Sequence, residues 1–380
     1  MRGPTVQPIV IAAGGTGGHF FPAEALAAEL VSRGHRIVLM TDARSAGLSS
    51  ATFAGREQYV IRGAGIAGRG LWRGTKAVGA LTAGVAQARG ILAQIGAGSV
   101  VGFGGYPCVA PILAARLLRR RPAVILHEQN AVLGRANRFL SGRADILALA
   151  FGSTQRVPAG TRTEVTGNPV RPAITALSRT GYIAPADRIR LLVLGGSLGA
   201  RVFSDVVPAA LRLLPEALRA RLSVVQQTRT EDLERVKVAY AADGIKAELS
   251  PFFSDVAARL VAAHLVIARA GASTVAELAV AGRPAILVPL PGAIDDHQSA
   301  NAFALAEAGG AWVVPQPQFT PASLADQLAA SLADPVRLAE VAVGARSQAC
   351  ADAAARLADL VEARMAASPA TASQQRGGSA

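Results

Sequence analysis

A doubly wound α/β architecture, run through twice, is what this sequence predicts. Three observations carry the prediction. Short apolar runs alternate with helix-periodic stretches along the chain. Glycine-rich turns follow several of those runs: AAGGTGG after Ile9-Val10-Ile11, GFGGYP after Val100-Val101, and GGSLGA after Arg190–Leu194. The pattern pauses near Arg171 and restarts at Arg190, so the 380 residues divide naturally into two domains.

Composition fits that class. Hydrophobic residues make up 51% and charged residues 17%, which suits well-buried layers, while only 4% are aromatic. Cys108 and Cys350 form neither a metal motif nor a disulfide framework, so a reducing compartment is expected. The net charge of +13 is almost all arginine, because Lys76, Lys237 and Lys246 are the only lysines. Such a balance suits an anionic partner, whether nucleic acid, a membrane surface or a phosphorylated substrate. It also reflects an Ala, Gly and Arg bias spread along the whole chain. The start of the chain does not read as a secretory leader. Gly90–Ala115 is uncharged, but its glycines, Pro107, Pro111, Gln94 and Ser99 argue against a membrane span.

Taken in order, Ile9–Ile11 reads as a strand, Ala12–Pro22 as a glycine turn and Ala23–Leu30 as a helix ending at Arg33-Gly34. Strand, glycine turn and helix together aim backbone N–H groups at a ligand crevice. His19 adds the one side chain there that exchanges a proton near neutral pH. A second strand, Arg36–Met40, ends at Thr41-Asp42. An acid at that place suits ribose binding in dinucleotide folds, but the glycine spacing fails: Phe20 stands where the last glycine of G-x-G-x-x-G would be. Gln58–Ile61 is the next strand. Leu71–Val85 then sets Leu71, Trp72, Val78, Leu81 and Val85 beside Arg69, Arg73 and Lys76, a pattern for an anionic bilayer surface or an ordinary amphipathic helix.

Val100–Phe103 leads into the second glycine loop, and Val124–Leu126 into His127-Glu128-Gln129-Asn130, four polar residues where open parallel sheets bind ligands. Ile146–Leu149 and Glu164–Thr166 complete the first half. After a broken stretch from Arg171 to Arg188, strands at Arg190–Leu194, Val224–Gln227, Leu265–Ala268 and Ala285–Val288 build the second. Its first loop, Gly195–Ala200, suits a phosphate but lacks the Gly-Lys-Ser/Thr of a Walker loop. Ala272-Ser273-Thr274-Val275-Ala276-Glu277 opens a helix with small residues, and Glu277 there can accept bonds from vicinal hydroxyls. Asp295–Asn301 forms a polar cluster at a further helix start. Helices close the chain, and Ser368–Ala380 is small and polar, expected to be disordered.

The ordered set AGGTGGHFFPA, GFGGYP, HEQN, TGNPVR, GGSLGA, RAGASTVAEL and DDHQSANA closely resembles the MurG family of GT-B glycosyltransferases, over about Ile9–Met365. The resemblance implies two Rossmann-like doubly wound domains facing across a cleft. An acceptor and membrane-side domain would span 1–171, and a UDP-GlcNAc-binding domain 172–345. A last helix, about 346–366, would pack back on the first domain, followed by a tail, 367–380. It implies transfer of N-acetylglucosamine (GlcNAc) from UDP-GlcNAc to the 4-hydroxyl of lipid I, giving lipid II for peptidoglycan, at the cytoplasmic face of an anionic plasma membrane. Other cell-wall synthesis proteins would be neighbours.

By the same resemblance, Thr16, Gly17 and Gly18 would lie against donor and acceptor, and Asn130 would contact the GlcNAc. Arg171 and Ser197 would stand near the diphosphate. Phe253 would meet uracil through its backbone. Ala272, Ser273, Thr274, Val275 and Ala276 would wrap the nucleotide, Glu277 would take the ribose hydroxyls, and Gln298 would hold sugar hydroxyls. Tyr106 and Glu128 are expected on the acceptor side, and His297 stands where some relatives have Gln. An α-linked donor and β-linked product imply inversion by single displacement. His19 is then the candidate base, with Glu128 the alternative. No cofactor is expected. No Asp-x-Asp triplet occurs, so no metal is expected either. Three rivals carry less: a GT-B enzyme with another lipid or natural-product acceptor, a nicotinamide or flavin oxidoreductase supported by Asp42 alone, and an RNA-binding protein. The last has no base-stacking motif and few aromatics, so nucleic acid is not an expected partner.

Overall fold

The computed structural model describes residues 7–15, 17–45, 50–62, 71–196 and 199–367, apart from the side chains of 71–77. Thr16, Ser197, the Gly- and Arg-rich loop with Arg69, the side chains of Trp72 and Arg73, and the tail from Ser368 therefore lie outside the described residues. The chain divides into two compact units. The residues up to Arg171 with those from Asp352 onward make the first, and Pro172–Ala351 the second.

The first unit is built on a seven-stranded parallel sheet. Its strands are β1 (Ile9–Ala12), β2 (Ile37–Thr41), β3 (Gln58–Val60), β4 (Ser99–Gly102), β5 (Ala123–Glu128), β6 (Ile146–Leu149) and β7 (Thr163–Val165), in the order β3-β2-β1-β4-β5-β6-β7. β1 pairs with both β2 and β4, Ile9 lying opposite Ile37 on one side and Ser99 on the other. Successive side chains of a strand point to opposite faces, and the core follows that rule. Ile9 and Ile11 pack with Phe20, Leu26 and Leu30 of the helix Gly17–Ser32 and with Leu357 and Val361 of the helix Ala353–Ala366. Val10 and Ala12 pack on the other face with Ala88 and Leu92 of the helix Leu71–Ile95 and with Ile112 of Val109–Arg116.

The second unit repeats the plan with six parallel strands: β8 (Ile189–Leu194), β9 (Leu222–Gln227), β10 (Lys246–Ser250), β11 (Leu265–Ala268), β12 (Ala285–Leu287) and β13 (Ala311–Val313), ordered β10-β9-β8-β11-β12-β13. Ile189, Leu191 and Val193 of β8 and Ile267 of β11 bury against Phe203, Val207 and Leu211 of the helix Arg201–Arg212 and against Phe319 and Leu328.

Three local features depart from the periodicity. The first helix starts at Gly17, six residues before the apolar pattern does, because burial of Phe20 and Pro22 draws the glycines into its first turn. β5 runs on through Glu128, so HEQN begins inside a strand. β10 and β13 are edge strands whose half-wet or three-residue patterns carry little period-2 signal.

The returning helix Ala353–Ala366 is pinned by one cation. Arg33 bonds Asp359 at 2.6 Å, Glu362 at 2.8 Å and Glu29 at 2.9 Å, and Glu362 also meets His35 Nε2 at 2.6 Å. These groups are partly exposed, so each pair contributes only a few tenths of a kcal/mol to about 1 kcal/mol. Arg33→Ala is expected to lower the stability of the first unit by about 1 kcal/mol. It should speed amide exchange in 353–366 and leave the second unit's exchange unchanged; hydrogen-exchange mass spectrometry checks this.

Candidate active site

In an open parallel sheet, ligands bind outside the carboxyl ends of the strands where the order reverses. The first unit reverses at β1, between β2 and β4. Three loops converge there. The first is Ala13–Gly15, after β1. A Cβ on Gly14 would lie 2.8 Å from both Asp42 Oδ1 and Thr41 Oγ1, so only glycine lets the turn after β2 close on it. That turn also supplies Ser45, whose Oγ accepts the Gly15 N–H at 2.6 Å. The third loop, Phe103–Tyr106, follows β4. The His19 ring lies on its backbone: Cβ atoms on Gly104 and Gly105 would come within 3.4 and 3.5 Å of it. His19 Nδ1 is 2.8 Å from the Phe103 carbonyl. A ring that donates from Nδ1 to a carbonyl keeps its lone pair on Nε2. Gln129, 1% exposed, donates from Nε2 to the Phe103 carbonyl at 2.8 Å.

Asp42 is buried at the end of β2. Burial alone would push its carboxyl up. Hydrogen bonds from the side chains of Ser45, Tyr106 and Arg44 outweigh that and hold it at about 2. Burial and the neighbouring acid push the Tyr106 phenol up.

Glu128, 2% exposed, has all four lone-pair sites of its carboxylate occupied. Oε1 accepts from the Asn130 N–H at 3.0 Å and Asn130 Nδ2 at 2.9 Å. Oε2 accepts from the Gly134 N–H and Asn137 Nδ2, both at 2.9 Å. A carboxylate so engaged is fixed in place, and its geometry suits holding Asn130. His127 is fully buried and donates from Nε2 to the Gly167 carbonyl at 3.0 Å. Desolvation lowers its pKa to about 4. Arg171 stacks over Phe21, 5.4 Å from the ring centroid, and that ring presses on Gly17.

The second unit reverses at β8, between β9 and β11. The loop after β8 is clamped by Gln227, which accepts from the Gly195 N–H and donates to the Gly196 carbonyl, both at 3.0 Å, and to Pro251 O at 3.1 Å. A Cβ on Gly195 would sit 2.4 Å from Ala200 N, so this turn too requires glycine. The loop after β11 opens the helix Ala272–Ala281, whose cap Gly271 has no side chain to satisfy the first N–H groups; the buried Ser273 Oγ also lacks a partner. Those donors and the helix dipole give this end a positive potential. Thr274, Ala276 and Glu277 are half-buried on this helix and Val275 is buried. Phe253 is buried under the Arg259 guanidinium. Gln298 is half-buried and accepts the Leu290 N–H at 3.0 Å. His297, its neighbour, bonds the Ile294 carbonyl at 2.8 Å.

Of the sequence-predicted residues, Gly17, Gly18, His19 and Tyr106 follow the strands at the first sheet's reversal, while Glu128 ends β5, Asn130 follows it and Arg171 lies beyond β7; in the second unit Ala272–Glu277 follow β11 at the reversal, while Phe253 follows β10 and Gln298 follows β12. Sequence reasoning named Gln129 only as one of the four polar residues of HEQN and gave no role to Asn137 or Gln227. Gln129 and Gln227 share a legible signal, a polar side chain at the carboxyl end of a strand. Asn137 lies in a helix and carries none.

Residues 9–148 match the glycosyltransferase family 28 N-terminal domain, and residues 190–357 its C-terminal domain. The UDP-N-acetylglucosamine–N-acetylmuramyl-(pentapeptide) pyrophosphoryl-undecaprenol N-acetylglucosamine transferase of Granulibacter bethesdensis is 63% identical, covering 95% of this chain and 94% of that one. Its Acidiphilium cryptum counterpart is 57% identical over 95% and 98%. The crystal structure of Acinetobacter baumannii MurG aligns with a TM-score of 0.76 at 32% identity, covering 94% of this chain and 99% of that one. The chain belongs to the MurG family. It is a glycosyltransferase with two α/β units, as the motif order predicts. The kitacinnamycin glycotransferase, 17% identical with a TM-score of 0.66, shares the fold.

In this MurG-family chain the buried His127 makes the first unit acid-sensitive. Its folded pKa lies below the unfolded value of about 6.5, so the unfolded chain takes up the proton first. Stability falls as pH drops from about 6.5 toward 4, by about 3 kcal/mol in all. Asp42, held at about 2, loses its contribution only below about pH 4. Urea titrations between pH 7 and 5 are expected to show this slope in the wild type and its loss in His127→Gln.

Proposed function

We propose that this chain moves GlcNAc from UDP-GlcNAc to the 4-hydroxyl of the N-acetylmuramoyl group of lipid I, giving lipid II and UDP. The carrying observation is 63% identity, over nearly the full length of both chains, to a relative named for that transfer. The first unit takes the lipid-linked acceptor and the second the nucleotide sugar. The acceptor oxygen attacks the anomeric carbon as the bond to the diphosphate breaks, so configuration inverts. The proton of that hydroxyl passes to His19 Nε2, while Nδ1–H stays on the Phe103 carbonyl. Glu128 orders Asn130 rather than serving as the base; its four bonded lone-pair sites support that role. The leaving diphosphate is met by the N-terminus of Ala272–Ala281, by Ser197 and by Arg171. Glu277 takes the ribose hydroxyls, Gln298 the sugar, and Phe253 and Ala272–Ala276 surround the nucleotide.

UDP release with a lipid I analogue in EDTA tests the chemistry. Wild type should turn over only with acceptor. His19→Ala should lose about 10²–10⁴-fold in kcat with donor binding intact. Near-normal turnover in His19→Ala would remove it from the base role, and an inert wild type would overturn the whole reading. Glu277→Ala should raise KM for UDP-GlcNAc about tenfold or more with a smaller effect on kcat.

The membrane's cytoplasmic face is the proposed place of action. Among the described residues no helix is long and apolar enough to cross a bilayer. The helix Leu71–Ile95 leaves Val78 exposed. Together with Trp72, Arg69 and Arg73 it would seat the first unit on anionic headgroups. Replacing Trp72 by Ala and neutralising Arg69 and Arg73 should abolish sedimentation with phosphatidylglycerol vesicles and spare turnover of a short-chain acceptor; unchanged vesicle binding would sink the proposal.

A further inference from the structure

We propose that Arg44 is the cation that receives the acceptor's diphosphate, and that Asp42 is the positioning residue that aims it. The inference deepens the functional reading above and rests on the first unit being the acceptor half.

Asp42 is the acid at the end of β2 that no nucleotide fingerprint accompanies, and the structure gives it three donors. Its Oδ1 accepts the Ser45 N–H at 3.2 Å; its Oδ2 accepts the Tyr106 hydroxyl and Arg44 Nε, the latter at 3.1 Å. The burial is lopsided: the Asp42 side chain is 6% exposed and that of Arg44 66%. The guanidinium carbon lies 4.9 Å from the centroid of the Tyr106 ring. The guanidinium thus bonds a buried acid through Nε and lies over an aromatic ring. Among the described residues Asp42 is its only ion-pair partner, through Nε. The Tyr106 hydroxyl also hydrogen-bonds the guanidinium, and with two-thirds of the Arg44 side chain exposed its remaining N–H groups can meet the oxygens of a phosphate.

An exposed arginine otherwise spreads over many rotamers, and ordering it on binding costs affinity. Here the Asp42 bond and the Tyr106 ring order it beforehand. Its setting is an anion's. The Ser45 hydroxyl fixes Gly15 of the first glycine loop, and Tyr106 belongs to the turn that follows the second, Gly104-Gly105. The helix Gly17–Ser32 begins beside them with no acidic residue in its first turn, so its positive end is not neutralised. An ordinary surface ion pair would need neither the burial of the acid nor the phenol that shares it.

The experiment compares two acceptors carrying the same sugar, peptide and alkyl chain, one linked through a diphosphate and one an uncharged glycoside. The readout is the ratio of their kcat/KM values. In Arg44→Ala the ratio should fall about thirtyfold, with kcat/KM for the uncharged acceptor and KM for UDP-GlcNAc within about twofold of wild type. A merely structural defect would depress both acceptors alike. Arg44→Lys should retain part of the preference. Asp42→Asn should lower the ratio as well, and the double variant Asp42→Asn/Arg44→Ala should be no lower than Arg44→Ala alone, because both act through one contact. A wild-type ratio in Arg44→Ala overturns the inference alone. A wild type inert toward both acceptors overturns the functional reading and takes the inference with it.

Discussion

Each sheet reverses its strand order at its first strand, and the chemistry of this chain hangs from that reversal. β1 lies between β2 and β4, and β8 between β9 and β11. The loops leaving the two inner strands diverge to opposite faces, and open sheets bind ligands at such a divergence. Two constraints then act on the sequence at those strand ends. Neighbouring atoms press on the loop, so Gly14 meets Asp42 and Thr41, and Gly195 meets Ala200, at distances no Cβ survives. The loop must also be held although it lacks side chains, so its backbone is bonded from the next strand: Ser45 grips Gly15, and Gln227 grips Gly195 and Gly196. Glycine loops here are stiff because their neighbours supply what they lack.

The first unit adds a buried polar floor at the carboxyl end of β5. Burying an acid, an imidazole and two amides is costly unless each is bonded. Glu128 recovers that cost with four donors, one of them the Asn130 amide. His127 recovers less: one nitrogen bonds Gly167 and the other, buried, has no partner. The neutral ring is what such a site tolerates, and acid lability is the consequence. The same arrangement sets two ionisable residues in different surroundings. His19 lies half-exposed on a glycine backbone with one nitrogen fixed. Glu128 is enclosed and saturated.

Much of this was legible in the chain. β6 and β11 have the bounds their apolar runs suggest, because strands covered on both faces read as continuous hydrophobic stretches. The edge strands β10 and β13 do not, since an edge need not be apolar on both faces. His19 after β1 and HEQN at the end of β5 were legible from one rule, that polar residues at strand carboxyl ends lie where ligands bind, whereas Tyr106 came only from the family resemblance. What the sequence could not convey was which of them were spent internally. HEQN reads as four exposed candidates, yet three are buried. Asp42 reads as a failed ribose ligand, yet it organises Ser45, Tyr106 and Arg44. These are long-range pairings, and no spacing in one dimension encodes them.

The excess of arginine shows the same limit. A charge of +13 suggests an anionic partner, but several guanidiniums face inward. Arg346 donates to the carbonyls of Leu177, Ser178, Thr180, Val280 and Ala281. Arg283, 2% exposed, bonds Leu260, Val261 and Gly282. Burial lowers the pKa of both. Their targets include the last carbonyls of the helix Ala272–Ala281, the negative end of its dipole. The opposite end of that helix is the one whose first N–H groups have no cap. Two cations therefore close the carboxyl end with protein donors, while the amino end has no side-chain cap. Charge that looks like a binding surface in the sequence is, at this helix, what secures the far end of the site.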